Sequence, residues 1–242
     1  MTTPGSPTSP EPPPNSGSEP STGSTPDSAS SAAGFGFAAA GLVLAAGAGR
    51  RFGSPKALVP DAAGIPWVVR AARLLIASGC SPVVVVIGAA ADDVRGKLTS
   101  EPVHIAEAKD WSEGMGASLR AGLTALESLA ALQTDLDNDA TSAPIDSVLV
   151  VPVDVPGLTE NAVRRVAAHS APTALARATY EGAPGHPVLI GREHWAGVLA
   201  TARGDEGARP YLRSHQPVRI ECADLADGAD VDTPDSLPPG HG

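Results

Sequence analysis

Short apolar runs alternate with stretches of helical periodicity after residue 38. The runs at 42–46, 82–88 and 148–154 are rich in valine, leucine and alanine, which is typical of strands buried on both faces of a parallel sheet. Apolar residues recur at helical spacing from Val68, from Leu119 and from Val163, and Thr159 is placed to cap the last of these helices. This alternation predicts right-handed βαβ units in an α/β fold: a Rossmann-like three-layer sandwich with a mostly parallel central sheet.

The two ends of the chain differ in composition. Residues 1–38 are rich in proline, serine and glycine, and we expect a disordered tail followed by one folded domain over residues 39–242. Residues 1–34 contain no lysine or arginine, and the apolar run at 35–48 is shorter than the roughly 20 residues of a membrane span. We therefore expect a cytoplasmic protein that does not contact a membrane. The acidic stretch 133–147 is predicted to be a surface loop.

Charge and cysteine content exclude several function classes. Lysine and arginine number 17 against 27 aspartates and glutamates, which gives a net charge of −10, and aromatic residues make up 3% of the chain. Nucleic-acid-binding proteins usually present a basic face or aromatic stacking platforms, so we expect no nucleic-acid partner. The two cysteines lie far apart in the chain, which argues against a disulfide scaffold and a structural zinc site.

The stretch 42–60, LVLAAGAGRRFGSPKALVP, has the composition of a phosphate-binding loop. A predicted strand runs through Ala45 and Ala46 into a loop in which glycines let backbone N–H groups approach phosphate, with cations between them: Gly47, Gly49, Arg50, Arg51, Gly53 and Lys56. The spacing lacks the GK[ST] of a P-loop and the third glycine of a dinucleotide fingerprint. The Ser54–Pro55 dipeptide predicts that Lys56 lies on an extended loop. A glycine-rich surface turn is the alternative interpretation.

Together with five further segments, this loop resembles the MobA-like NTP transferases, and most closely their molybdenum cofactor cytidylyltransferase branch. The segments follow the family's order along the chain: DWSEGMGASLRAGL from Asp110, VPVDVPGLT from Val151, GAPGHPVLI from Gly182, GDEGARPYL from Gly204 and DVDTPDSL from Asp230. The resemblance implies a fold of the nucleotide-diphospho-sugar transferase type, with residues 39–242 as the nucleotidyltransferase domain. It further implies transfer of a nucleotide from CTP, or from GTP, to a phosphate acceptor such as molybdopterin, with pyrophosphate release.

The resemblance also assigns roles to individual residues. Arg51, Lys56 and Asp154 would be catalytic, and Asp154 and Asp232 would hold Mg²⁺. The nucleotide would contact the loop from Ala45 to Gly53 together with Gly114 and Ser118. His186, Asp205 and Arg209 would bind the acceptor, and a molybdoenzyme or its chaperone would be a protein partner.

The sequence departs from the family pattern at two places, and other functions stay open. Ala108 and Lys109 stand where the family often has an asparagine, and Val155 replaces the glutamine of its Asp-Gln-Pro motif. A transferase acting on a sugar phosphate or another small phosphate acceptor, a non-catalytic nucleotide-binding regulatory module, and a dinucleotide-dependent oxidoreductase remain as alternatives.

Overall fold

A computed structural model describes residues 1–2, 39–136, 144–239 and 241 of the chain. In these ranges seven strands form one sheet of order β3-β2-β1-β4-β6-β5-β7. The strands are β1 Ala39–Leu44, β2 Val83–Ile87, β3 His104–Glu107, β4 Ser147–Pro152, β5 Leu175–Tyr180, β6 Ala183–Gly191 and β7 Val218–Glu221. Neighbouring strands are parallel except where β6 lies antiparallel between β4 and β5. The predicted α/β fold with a mostly parallel sheet is confirmed.

Helices cover both faces of this sheet. They are α1 Trp67–Ala77, α2 Ala91–Lys97, α3 Met115–Leu136, α4 Glu160–Ala167, α5 Arg192–Thr201 and α6 Arg209–His215. One apolar cluster joins the sheet to α1, α2 and α4, and a second joins its other face to α3, α5 and α6. Successive residues of β1 alternate between the clusters, because Val43 packs into the first while Leu42 and Leu44 pack into the second. The result is the predicted three-layer sandwich.

Most predicted elements are present, with shifted ends. The helices expected at Val68, Leu119 and Val163 are α1, α3 and α4, and the Thr159 Oγ1 accepts a hydrogen bond from the Ala162 N–H at 3.3 Å as a cap. The loop predicted from residue 133 is wrong for 133–136, because α3 continues to Leu136; the preceding stretch 125–132, ALESLAAL, consists mostly of strong helix formers that extend the helix. Residues 137–143 and the predicted tail beyond residue 2 lie outside the described residues.

No helix within the described ranges combines the length and the apolar character needed to cross a membrane.

Packing of α3 against the sheet should provide much of the stability. Leu123 is fully buried, whereas Leu132 on the same helix is 56% exposed. Leu123→Ala should lower the free energy of unfolding by about 2–5 kcal/mol, because it removes buried methyl groups and leaves a cavity. Leu132→Ala, the matched control, should change it by less than about 0.5 kcal/mol. Urea denaturation measures both, and equal effects would contradict this account of the core.

Candidate active site

The glycine-rich loop leaves the end of β1 and closes on itself in a tight turn. Gly49 has a φ of 62°, and a Cβ at this position would lie 1.8 Å from the carbonyl oxygen of Ser54. The Gly53 N–H donates to the Gly49 carbonyl at 2.8 Å, so the loop folds back over four residues. Only glycine fits at position 49, since both the positive φ and the close backbone approach exclude a side chain.

Lys56 directly follows this turn, in a 3₁₀ helix that spans Lys56–Leu58. The predicted extended loop is therefore wrong at Lys56 itself. Pro55 is extended, with φ −59° and ψ 115°, and is the N-cap of this helix. A proline restricts the residue before it, Ser54, so the helix can begin at Lys56.

The Lys56 ammonium group connects two carboxylates that are remote in sequence. Its Nζ lies 2.9 Å from the Asp154 Oδ2 and 2.9 Å from the Asp232 Oδ1. The Arg51 Nη1 lies 3.4 Å from the other oxygen of Asp232. The lysine side chain is 13% exposed, while that of Arg51 is 82% exposed, so the lysine is the enclosed cation of the group.

A backbone contact brings the two aspartates together. Asp154 lies two residues beyond the end of β4, at the carboxyl edge of the sheet. The Val231 N–H donates to the Asp154 carbonyl oxygen at 2.8 Å, and the Val231 side chain is buried beside Val59 and Trp67. This hydrogen bond and this apolar anchor hold the residues on either side of Val231 next to Asp154, and Asp232 is one of them.

Neighbouring charges and burial shift the pKa values of Lys56, Asp232 and Asp230. Burial acts to lower the pKa of Lys56, but its hydrogen bonds and charge interactions with Asp154 and Asp232 outweigh that effect and raise it above the ordinary value. The hydrogen bond from Lys56 lowers the pKa of Asp232. Burial, reinforced by the negative charges of Asp154 and Asp232, raises the pKa of the nearby Asp230.

Most of the predicted site residues line one cleft of about 530 Å³. The cleft brings together Ala46, Gly47, Gly49, Arg50, Arg51, Lys56, Gly114, Ser118, Asp154, Asp205 and Asp232. Gly114 begins the turn into α3 with a φ of 109°, and a Cβ there would lie 2.5 Å from the Asp205 Oδ1. Asp205 therefore lies against the start of α3 in this cleft. His186 and Arg209, which were predicted together with it, line a second cavity instead.

Two residues of the predicted loop do not line this cleft. Ala45 is 4% exposed and packs into the core beneath the loop. Gly53 closes the turn through its N–H and does not face the cleft. Among the residues that depart from the family pattern, Ala108 and Val155 are buried, at 1% and 3% exposed, and contribute to the core, whereas Lys109 is exposed; none of the three lines the cleft.

The second cavity, of about 790 Å³, adjoins the cleft, since Leu44 and Met115 line both. His186 and Arg209 lie in this cavity with Asp230, Arg177 and Arg219, three residues that the sequence analysis did not single out. Burial, together with the charges of Arg177 and Arg209, lowers the pKa of His186 to about 4. Its imidazole is therefore uncharged at neutral pH.

The two aspartates are a chemically suitable but partial metal site. In the ranges that the structure covers, no group of three or more His, Cys, Asp and Glu side chains is arranged to hold a metal ion. Mg²⁺ commonly uses one or two protein carboxylates and completes its coordination with water and substrate phosphates. Asp154 and Asp232, which share one cation beside a glycine-rich loop, fit that pattern.

Comparison with known proteins shows the family to which the chain is related. A model of the MobA-like NTP transferase domain matches residues 41–218. Nicotine blue oxidoreductase of Paenarthrobacter nicotinovorans is 36% identical over 207 residues, which cover 81% of this chain and 93% of that protein.

Solved structures share the fold. A homologue of Mycobacterium tuberculosis Rv0371c from Mycobacterium sp. strain JC1 has 27% identity and a TM-score of 0.60, with 82% of this chain and 92% of that chain covered. A manganese complex of Rv0371c from M. tuberculosis H37Rv has 21% identity and a TM-score of 0.53, with 75% and 85% covered. On the family match and the 36% identical relative, the chain belongs to the MobA-like NTP transferase domain family.

Proposed function

We propose that the protein is a Mg²⁺-dependent nucleotidyltransferase that moves a nucleotide from CTP to a small phosphate acceptor, with molybdopterin as the favoured acceptor. The observation that carries this proposal is the meeting of Asp154 and Asp232 at the Lys56 ammonium, directly beside the glycine-rich loop. Family membership supports nucleotidyl transfer. The preference for CTP and molybdopterin rests on the resemblance of the motifs.

The loop cleft supplies the electrostatics that a triphosphate requires. Arg50, Arg51 and Lys56 bring three cations to a loop whose glycines leave the backbone accessible. The N-terminus of the 22-residue helix α3, at Met115, faces the same cleft and adds the positive end of its dipole. Nucleotidyl transfer depends on holding the partners in line and neutralising charge, which these groups can do without forming a bond to the substrate.

The carboxylates would hold the metal. Asp154 and Asp232 offer hard oxygen ligands, and a divalent cation bound there supplies charge neutralisation at the phosphates. Without that cation, Lys56 neutralises the same two carboxylates. With the cation present, the ammonium group is available to the triphosphate. The manganese complex of the Rv0371c structure supports a divalent ion in this fold.

The adjoining cavity suits an acceptor that already carries negative charge. His186, the obvious base in this cavity, has a pKa lowered to about 4 by burial and neighbouring arginines. An efficient general base needs a pKa near the working pH, so His186 is poorly suited to deprotonate an alcohol. A phosphate monoester is anionic at neutral pH and needs no base. The cavity chemistry therefore favours a phosphate over a hydroxyl as the nucleophile.

A second candidate, an oxidoreductase, is favoured by the name of the 36% identical relative, nicotine blue oxidoreductase. A glycine-rich loop with cations can bind the pyrophosphate of a dinucleotide as well as a triphosphate. Calorimetric titration with Mg·CTP and with NADPH separates the two candidates. Nucleotidyl transfer requires Mg·CTP binding and pyrophosphate release with an acceptor. Binding of NADPH alone would favour the oxidoreductase.

Lys56→Ala should reduce turnover by about 10²–10³-fold, because the cleft loses its enclosed cation at the position of developing phosphate charge. Pyrophosphate release from Mg·CTP with molybdopterin measures the effect. Lys97→Ala, which removes an exposed lysine from the end of α2, is the matched control and should react at the wild-type rate. A Lys56→Ala rate within a few-fold of wild type would remove Lys56 from the mechanism.

The pH profile tests whether a base is needed. His186 gains its proton only near pH 4, so it does not titrate between pH 6 and 8. The second ionisation of a phosphate monoester lies near pH 6, so kcat/KM should rise with pH through about 6 and then level off. His186→Gln should keep the shape of this profile, even if its level falls. A profile whose rising limb disappears in His186→Gln would make this histidine the base and would favour an alcohol acceptor.

A further inference from the structure

Two arginines stand side by side on the sheet at the wall of the second cavity. Arg177 of β5 is the direct register partner of Arg219 of β7, and both line the cavity. Like charges opposite each other on neighbouring strands destabilise a sheet. A folded protein of net charge −10 has many carboxylates that could separate them, yet none is paired with either arginine among the described residues.

The contacts of these arginines leave their charge uncompensated. The Arg177 Nη2 donates to the Gly185 carbonyl at 3.3 Å, and Arg219 donates to the Gly182 carbonyl. The Arg177 Nε is buried and has no hydrogen-bond partner in the described part of the chain. A buried donor without a partner is costly, which is unusual for a side chain whose only purpose is structural.

The remaining charged groups of the cavity do not cancel this surplus. Arg213 is paired with Glu206 at 2.9 Å, while Arg209 has no carboxylate within ion-pair distance in the ranges described. Asp230 is the one other carboxylate of the lining, and burial raises its pKa. Burial and the charges of Arg209 and Arg219 lower the pKa of Arg177, so both of these cations act on Arg177. The cavity is therefore a local positive site on an acidic protein.

Much of the remaining cavity wall is apolar. Side chains from the sheet and from α3 line it, namely Leu44, Leu119, Val150, Val188 and Ile190. A volume of about 790 Å³ is sufficient for a drug-sized molecule. A ligand that satisfies both parts of this lining has an anionic group at one end and an apolar or aromatic body at the other.

We propose that Arg177 and Arg219 bind the dianionic phosphate group of a ligand whose apolar, ring-like body fills the remainder of the second cavity. Paired guanidinium groups hold phosphate by charge-assisted hydrogen bonds, and the phosphate relieves their mutual repulsion. The cavity adjoins the loop cleft through Leu44 and Met115, so a ligand held there lies beside that cleft. The two arginines position the ligand and take no part in bond making.

Binding of small probes tests the proposal on the full chain. Phenyl phosphate, inorganic phosphate and phenol are titrated by calorimetry against the wild type, Arg219→Gln, Arg177→Gln and Arg95→Gln. Arg95, paired with Glu107 and remote from the cavity lining, is the matched control for loss of one arginine. Phenyl phosphate should bind the wild type more tightly than inorganic phosphate or phenol does. Each cavity variant should weaken its binding by about tenfold or more, and Arg95→Gln should not.

Thermal unfolding of the same variants separates a binding role from a structural one. Removing one of two adjacent like charges relieves repulsion, so Arg219→Gln should unfold at the wild-type Tm or above it. A Tm that falls in both cavity variants, with phenyl phosphate affinity unchanged, would make the arginines structural and overturn the proposal. Absence of phenyl phosphate binding to the wild type would also overturn it. Equal affinities for phenyl phosphate and inorganic phosphate would show that the apolar body adds nothing to binding. That result would overturn this part of the proposal and identify a free phosphate as the ligand.

One further variant keeps this proposal separate from the proposed function. Lys56→Ala should lose affinity for Mg·CTP and keep its affinity for phenyl phosphate. Arg219→Gln should keep its affinity for Mg·CTP and lose affinity for phenyl phosphate. Failure of the wild type to bind Mg·CTP, with phenyl phosphate binding intact, would overturn the nucleotidyltransferase assignment alone.

Discussion

A single ammonium group organises the candidate active site. Lys56 holds a carboxylate from the carboxyl edge of the sheet, Asp154, and one from the C-terminal segment, Asp232, and it does so next to the loop that the glycines shape. The two carboxylates both contact the Lys56 ammonium group, and they would repel each other if no cation lay between them. Lys56 supplies positive charge to both carboxylates, Arg51 contacts Asp232 from the exposed side, and a metal ion would bind the same carboxylate oxygens.

Charged side chains of opposite kinds line the two adjoining spaces of this acidic protein, the loop cleft and the second cavity. The cleft combines the carboxylates with loop cations, which suits a metal-bound triphosphate, while the second cavity concentrates arginines against an apolar wall. Asp230 belongs to the second cavity, yet its protonation responds to Asp154 and Asp232.

Sequence patterns predicted the sheet and its helices because apolar periodicity reports burial directly, as at Val68 and Leu123. The resemblance of motifs also pointed to Lys56 and Asp154, which the fold brings together across 98 residues of chain. Sequence patterns did not predict Arg177 and Arg219, because these two become neighbours only through strand register, over 42 residues of chain. Asp205 was expected on the acceptor side by its motif, but the turn at Gly114 packs it into the cleft.

Manganese binding tests the central electrostatic claim most directly. Electron paramagnetic resonance of Mn²⁺, titrated with protein in the presence of CTP, measures the bound fraction in the wild type, Asp232→Asn and Asp235→Asn. Changes to outer-shell residues alone cost about 10–100-fold in metal affinity, so loss of the Asp232 carboxylate should weaken Mn²⁺ binding by at least about tenfold. Asp235, exposed three residues further on, should have no effect. Binding by Asp232→Asn at the wild-type affinity would contradict the account.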